Sequence, residues 1–261
     1  MTVEDIYHFL NEKAPFSTAE EWDNTGLLVG DPQREVARVL TVLDITPDAV
    51  EAAQRLGAQL IVSHHPVIFS PLRRLESSSI PYALAQADIA AVCAHTNLDA
   101  VAGGVNDALA RAVGLTEIEM LQTSGVDENG APYGIGRVGV LKGKAVVTLA
   151  DYAAQVKTAL QANGVRYVDA GRPVRRVAVG GGACGDLMGD ALAQGCDTFI
   201  TSDVKYNGFL DARALGLNLI DAGHFPTENV ICPVLAERLK RAFPGLEVQI
   251  SAVHGEVFSY L

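Results

Sequence analysis

GAQLIVSHHP, residues 57–66, holds a helix stop, a buried strand and two adjacent histidines within one short stretch. Gly57 closes the segment Thr46-Pro47-Asp48 to Leu56, which reads as a helix with Thr46 as its cap and Pro47 at the first helical position. Leu60-Ile61-Val62 reads as a buried strand, and it runs out into Ser63-His64-His65-Pro66. Upstream, Val39 to Leu43 is another apolar run of strand length. Downstream, residues 81–87 read as helix. Ile89 to Cys93 reads as strand, ending in His95-Thr96-Asn97-Leu98-Asp99, and Gly103-Gly104 precede a helix from Val105 to Val113. Alternation of this kind implies an α/β fold with mostly parallel sheets covered on both faces.

The pattern continues on both sides. Val3, Ile6, Phe9 and Leu10 give the N-terminus a helical stripe behind a Thr2 cap, and Asp23-Asn24-Thr25-Gly26 is a turn into a short strand. Residues 123–134, TSGVDENGAPYG, are rich in turn formers and suggest a boundary between two lobes, 1–124 and 125–261, with the last helix and strands free to pack back on the first. Beyond it the expected strands are Val138–Leu141, Ala145–Leu149, Val174–Val179, Thr198–Thr201, Leu217–Ile220, Val248–Ile250 and Val257–Tyr260. Expected helices are Asp151–Asn163, Leu187–Gln194 and a long one from Thr227-Glu228 to Phe243.

Residues 195–205, GCDTFITSDVK, echo the opening stretch: a glycine, an apolar strand, then Ser202-Asp203 where the first has Ser63-His64. Each copy is followed by a strand ending in His-x-x-x-carboxylate, His95 to Asp99 and His224 to Glu228. A duplicated α/β unit would put polar groups from both halves at the carboxyl ends of strands, where open α/β sheets build their sites.

His64 and His65 are neighbours, and in a regular strand neighbours point to opposite faces. The pair is therefore expected to diverge, each imidazole serving its own ion, or else to be hydrogen-bonded in a loop. With His224, Glu228 and Asp99 they form a donor set of three imidazoles and two carboxylates, which suits Zn, Mn, Fe or Ni better than Ca. Each has a plainer reading as well: Glu228 as a carboxylate in the first turn of a helix, Asp99 as a turn former. His8 lies on the first helix as a surface or core histidine, and His254 sits in a turn with Gly255. Gly180-Gly181-Gly182 matches no phosphate-loop pattern, yet lies between a strand and a helix, where it could let an anion approach the backbone.

Composition limits the function classes. Of 261 residues, 49% are hydrophobic and 20% charged, enough for a real core. The formal net charge of −11 disfavours nucleic acid as a partner. No apolar run approaches the ~20 residues that span a bilayer, and the acidic, amphipathic N-terminus is unlike a secretion signal. Four cysteines without a CxxC fit buried thiols in the cytoplasm.

Four segments together carry a family resemblance: EEWDNTGLLVG near the N-terminus, IVSHHPVIF, AHTNLDAVAGGVND and DAGHFPTEN. In this order they resemble the NIF3-like (DUF34) dinuclear-metal family, many of whose members are called GTP cyclohydrolase 1 type 2 homolog. The resemblance implies two similar α/β lobes with a metal site in the cleft between them, and two divalent cations per subunit. It implies His64, His65, Asp99, His224 and Glu228 as their ligands, and matches His95 to a position near the metals, where it would support the ligands or carry protons. It also implies a homohexamer built as a trimer of dimers. The expected activity is a metal-dependent hydrolase of the GTP cyclohydrolase type, acting on a small molecule, nucleotides included. The competing expectation is a metal carrier or regulatory adaptor without turnover. A catalytic site would leave a coordination position open, whereas a structural one would be closed by protein.

Overall fold

Alternating strands and helices build two compact units in the computed structural model, which describes residues 1–143 and 146–261. The first unit comprises Met1–Leu98 and Ile231–Gly255, the second Asp99–Val230 and Glu256–Leu261. The boundary expected at residue 124 thus falls inside the second unit, while the last long helix and the strand after it belong to the first.

In chain order the first unit begins with α1 (Val3–Lys13), whose Thr2 cap accepts from the Asp5 N–H while the Asp5 carboxylate accepts from the Thr2 N–H. Then come β1 (Gly26–Val29), β2 (Arg38–Val42), α2 (Pro47–Leu56), β3 (Leu60–Ser63), α3 (Ile80–Gln86) and β4 (Ala90–Cys93). Helix α2 follows its sequence signals closely: Thr46 accepts from the Ala49 N–H, and Gly57 takes the left-handed conformation at φ +63° that ends it. The chain leaves this unit inside the one-turn helix α4 (Thr96–Ala100).

The second unit runs α5 (Val105–Ala112), β5 (Leu115–Met120), the hairpin β6 (Gly125–Val126) and β7 (Pro132–Tyr133), β8 (Arg137–Leu141), α6 (Leu149–Ala159), β9 (Arg166–Val168) and β10 (Arg176–Val179). It continues with α7 (Met188–Ala193), β11 (Thr198–Thr201), α8 (Tyr206–Ala214), β12 (Asn218–Asp221) and α9 (His224–Glu228). Helix α10 (Ile231–Ala242) and β13 (Glu247–Ile250) return to the first unit.

The first sheet, ordered β1-β4-β3-β2-β13, is parallel except at β1. Its strands β2, β3 and β4 are almost wholly buried, and one face packs on α2 and α3 through Leu40, Val42, Ile61, Ala49, Val50 and Leu84. Gly30, at φ +105°, lets β1 cross β4 closely: a Cβ there would stand 2.6 Å from that of Ala90. The second sheet, β5-β8-β10-β11-β12-β9, is mixed. Only β10-β11 and β11-β12 are parallel, so the expectation of mostly parallel sheets holds for the first unit and fails for the second. Its centre, Val177, Val179, Ile200 and Ile220, packs on Tyr152, Ala153 and Val156 of α6 and Leu109 of α5.

Three other expectations change. Of the strand foreseen over 145–149, Ala145 lies outside the described residues, Val147 makes one bridge to Val174, and Leu149 already starts α6. The long helix foreseen from Thr227 is broken after Asn229, so Glu228 ends the short α9 instead of opening α10. Residues 257–260 form no strand: the Phe258 carbonyl accepts from Asn163 and the Tyr260 ring lies against Gly164. Among the described residues, no helix is long and apolar enough to cross a membrane.

Candidate metal centre

Four parallel strands of the first sheet end side by side, and each end leads into a polar residue of one cluster. Strand β2 leads to Asp44, β3 to His64 and His65, β4 to His95, and β13 to His254. One ring nitrogen from each of His64, His65 and His95 lies within 4.8 Å of the others. Ring centroids are 5.1 Å apart for His64–His65, 5.2 Å for His64–His95 and 5.4 Å for His65–His95. The expected divergence of His64 and His65 does not occur, because β3 ends at Ser63 and the alternation of a strand stops there. Ser63 Oγ–H donates to the His65 carbonyl (2.8 Å) and Cys93 Sγ–H to that of His64 (2.9 Å), turning the backbone so that both rings meet.

His64, His65 and His95 each have Nδ1 committed. His64 Nδ1 meets the Ala94 carbonyl at 2.8 Å, His65 Nδ1 meets Asp44 Oδ1 at 2.7 Å, and His95 Nδ1 meets Asp23 Oδ1 at 2.8 Å. A carbonyl or carboxylate oxygen only accepts, so the proton sits on Nδ1 and the neutral ring keeps its lone pair on Nε2. Metal-binding histidines are held in this way, their other nitrogen donating to an oxygen. The supporting acids are themselves held. Asp44 Oδ2 faces His254 Nε2 at 2.8 Å, and Asp23 Oδ2 accepts from the Thr96 N–H (3.0 Å) and hydroxyl (2.6 Å). Burial alone would raise both carboxyls, but these bonds prevail: Asp23 is lowered to about 2 and Asp44 falls further below the usual range. His8, by contrast, is an exposed residue of α1 near Glu4.

The second unit repeats the principle. Strands β10, β11 and β12 are parallel neighbours whose ends lead to Gly180–Gly182, Asp203 and His224. His224 Nδ1 meets Asp203 Oδ2 at 2.6 Å, and its Nε2 lies 3.0 Å from Glu228 Oε2. Held between two acids, and by Glu228 above all, the ring is raised to about 9 despite its burial. Asp203 stands at φ +54°, a left-handed conformation that costs a non-glycine residue energy, less for Asp than for most. Buried Asp221 keeps that turn and the next in place, accepting from the Val204 N–H (3.0 Å) and the Gly223 N–H (3.2 Å).

Gly180-Gly181-Gly182 is no anion cradle. Its three N–H groups donate to the Ile200 carbonyl (2.9 Å), Asn106 Oδ1 (2.9 Å) and Thr227 Oγ1 (3.1 Å). The run instead makes room for a side chain: a Cβ on Gly182, at φ +68°, would stand 2.1 Å from Glu228 Oε1. Asp99, also buried, belongs to α4 and not to the expected loop, and its carbonyl accepts from Asn106 Nδ2 (3.0 Å). Arg137, 2% exposed, secures the end of that helix. Its five N–H donors reach Asp107 Oδ2 (2.6 Å) and the carbonyls of Gly134, Gly136, Ala100 and Val101.

The first unit therefore carries His64, His65 and His95, and the second Asp99, His224 and Glu228. Asp23, Asp44, His254 and Asp203 emerge as their supports. Asp203 was foreshadowed by the internal echo and Asp23 by its motif. Nothing in the sequence pairs Asp44 with His65 or with His254, 210 residues away. The donor chemistry fits divalent cations of the Zn, Mn, Fe or Ni kind. The cysteines are free thiols; burial pushes Cys232 up to about 12 and Cys196 to about 11, far from the thiolate a ligand must be.

Comparison with known proteins bears on this site. A family model described as Duf34/NIF3 (NGG1p interacting factor 3) matches residues 1–256. A "GTP cyclohydrolase 1 type 2 homolog" of Clostridium perfringens is 32% identical, with 100% of both chains covered. One of the same name from Lactococcus lactis is 33% identical over 95% of each. Among solved structures, a hypothetical protein of Staphylococcus aureus superposes with a TM-score of 0.92 at 31% identity, covering 100% of this chain and 99% of that one. Reduced HcgD from Methanocaldococcus jannaschii gives 0.78 at 28% identity over 97% and 98%.

Proposed function

Because the chain belongs to the Duf34/NIF3 (NGG1p interacting factor 3) family, we propose that it is a dinuclear metal-dependent hydrolase. His64, His65, Asp99, His224 and Glu228 are the proposed ligands of two divalent cations. The observation that carries this reading is the commitment of Nδ1 in His64, His65 and His224 to an oxygen acceptor, an arrangement that directs Nε2 toward ligation.

The ions, when bound, supply the Lewis acidity that makes water a nucleophile near neutral pH and polarises a substrate oxygen. The chain supplies the rest. His95 lies beside His64 and His65, with ring centroids 5.2 and 5.4 Å away, and Asp23, ionised throughout the neutral range, orients it so that Nε2 accepts a proton. A general base needs that placement. His95 therefore takes the proton from the attacking water and returns it to the leaving group. Asp44 and Asp203 fix the rings of His65 and His224. Assembly as a homohexamer, a trimer of dimers, belongs to the same reading, and sedimentation of the purified protein tests it.

The relatives' name puts GTP first in the substrate panel, with cyclic and linear phosphoesters beside it. Metal-loaded protein is expected to turn over at least one of these, to lose the activity on chelation, and to lose about 10²–10⁴-fold in kcat on His95→Ala. Metal-loaded protein inert toward the whole panel would favour the carrier or adaptor reading instead.

A further inference from the structure

The chain has one tryptophan, Trp22, and it is left 59% exposed beside His95. Its ring stands 6.1 Å from the imidazole at 78° and 5.9 Å from the ring of Phe69, itself 55% exposed. The backbone on both sides of Trp22 is tied to the turn that carries His95. The Glu20 N–H donates to Thr96 Oγ1 (3.0 Å), the Asp23 N–H to the Glu20 carbonyl (2.9 Å), and the Asp23 carboxylate accepts from His95 and Thr96. Asn24 Nδ2 donates to the Ile68 carbonyl, bringing Phe69 to the same place. Large aromatic side chains held this firmly while facing water are a feature of ligand sites. None of the hydrogen bonds that hold this turn involves the indole ring; they serve to position it.

We infer that Trp22 and Phe69 form a stacking subsite that selects substrates bearing a planar aromatic ring and brings that ring to His95. The inference rests on the hydrolase reading and deepens it by naming the substrate class. An indole face attracts a flat heterocycle of any sequence of heteroatoms, which explains how the site can read a ring without a dedicated hydrogen-bonding motif. The committed occupant is the ring of a small molecule, because the subsite adjoins the proposed proton carrier directly.

Guanosine 5′-monophosphate and ribose 5-phosphate share sugar and phosphate and differ by the base, which makes them a matched pair of probes. Their dissociation constants are to be measured by equilibrium dialysis against metal-loaded full-length protein, with quenching of the lone tryptophan as a second readout. The expected result is tighter binding of the nucleotide by about tenfold or more, the worth of one base–aromatic stack. Trp22→Ala should erase that difference, Trp22→Phe should restore most of it, and metal content should be unchanged in both. Equal binding of the two probes, no binding of either, or an unaltered preference in Trp22→Ala would overturn the inference. So would a change in oligomeric state of Trp22→Ala, which would mean that a second copy covers these rings. Wild-type protein that holds no metal would instead refute the hydrolase reading, and the two failures are told apart by elemental analysis.

Discussion

Gly182 offers the sharpest test of how the second unit holds its acid. An alanine there would carry its Cβ to 2.1 Å from Glu228 Oε1, whereas ordinary van der Waals contact begins at 3.4 Å, so the oxygen must retreat by about 1.3 Å. Glu228 is buried, and a Cβ on Gly181 would likewise meet its Cγ, at 3.4 Å. Metal–oxygen distances tolerate about ±0.2 Å, so a shift of this size removes a ligand. The loss in metal affinity should be at least the 10–100-fold that disturbing a supporting residue costs. The backbone adds a smaller penalty, since φ of +68° costs an L-residue about 1–2 kcal/mol. Gly182→Ala should therefore lower Tm by a few degrees and metal affinity far more, read by competition with a chromophoric chelator. Gly185→Ala is the control, because a Cβ there meets nothing within 4 Å. Wild-type metal affinity in Gly182→Ala would refute the assignment of Glu228.

Other expectations follow from the same geometry. His224 is raised to about 9 by Glu228, so in metal-free protein at pH 7 it is protonated, and a cation must displace that proton. Calorimetry in buffers of different ionisation enthalpy should show proton release that fades as pH rises through 9 and is much reduced in Glu228→Gln. By linkage, the same pair stabilises the metal-free fold fully below about pH 6.5 and progressively less toward pH 9, a trend that thermal unfolding against pH would record. Arg137→Ala leaves Asp107 with only its partner Arg111 and takes one donor from each of four carbonyls, and urea unfolding should show a loss of about 3–5 kcal/mol. Asp44→Ala should weaken metal binding about 10–100-fold while His254→Ala, one bond further out, has the smaller effect.

What the sequence disclosed depended on whether the signal was local. Helix α2 was legible because Thr46, Pro47 and Gly57 mark its ends chemically, and β3, β4 and β11 because a buried parallel strand is an apolar run. The candidate histidines were legible because each follows such a run within a few residues, and Asp99 and Glu228 because each stands four residues after one of those histidines. Helix α8 was not anticipated: Tyr206, Leu210 and Leu215 leave apolar surface in water, so its pattern has no clear buried stripe. Strand β5 pairs irregularly with β8 across a register shift, and β9 spans only three residues. The break between α9 and α10 is marked only by Pro233, which sits in the first turn of α10 and lacks the N–H that a continuous helix would bond to the Asn229 carbonyl. The supporting acids were hardest, since Asp23 meets His95 across 72 residues and Asp44 meets His65 across 21. Only the order of strands in the sheet makes such pairs neighbours.

Anomalous diffraction from crystals grown with a divalent transition metal addresses the account where it is most exposed. It predicts two peaks per chain, about 3.5–4 Å apart, ligated by His64, His65, Asp99, His224 and Glu228. A single ion, or ions held by other side chains while these five remain uncoordinated, would contradict it.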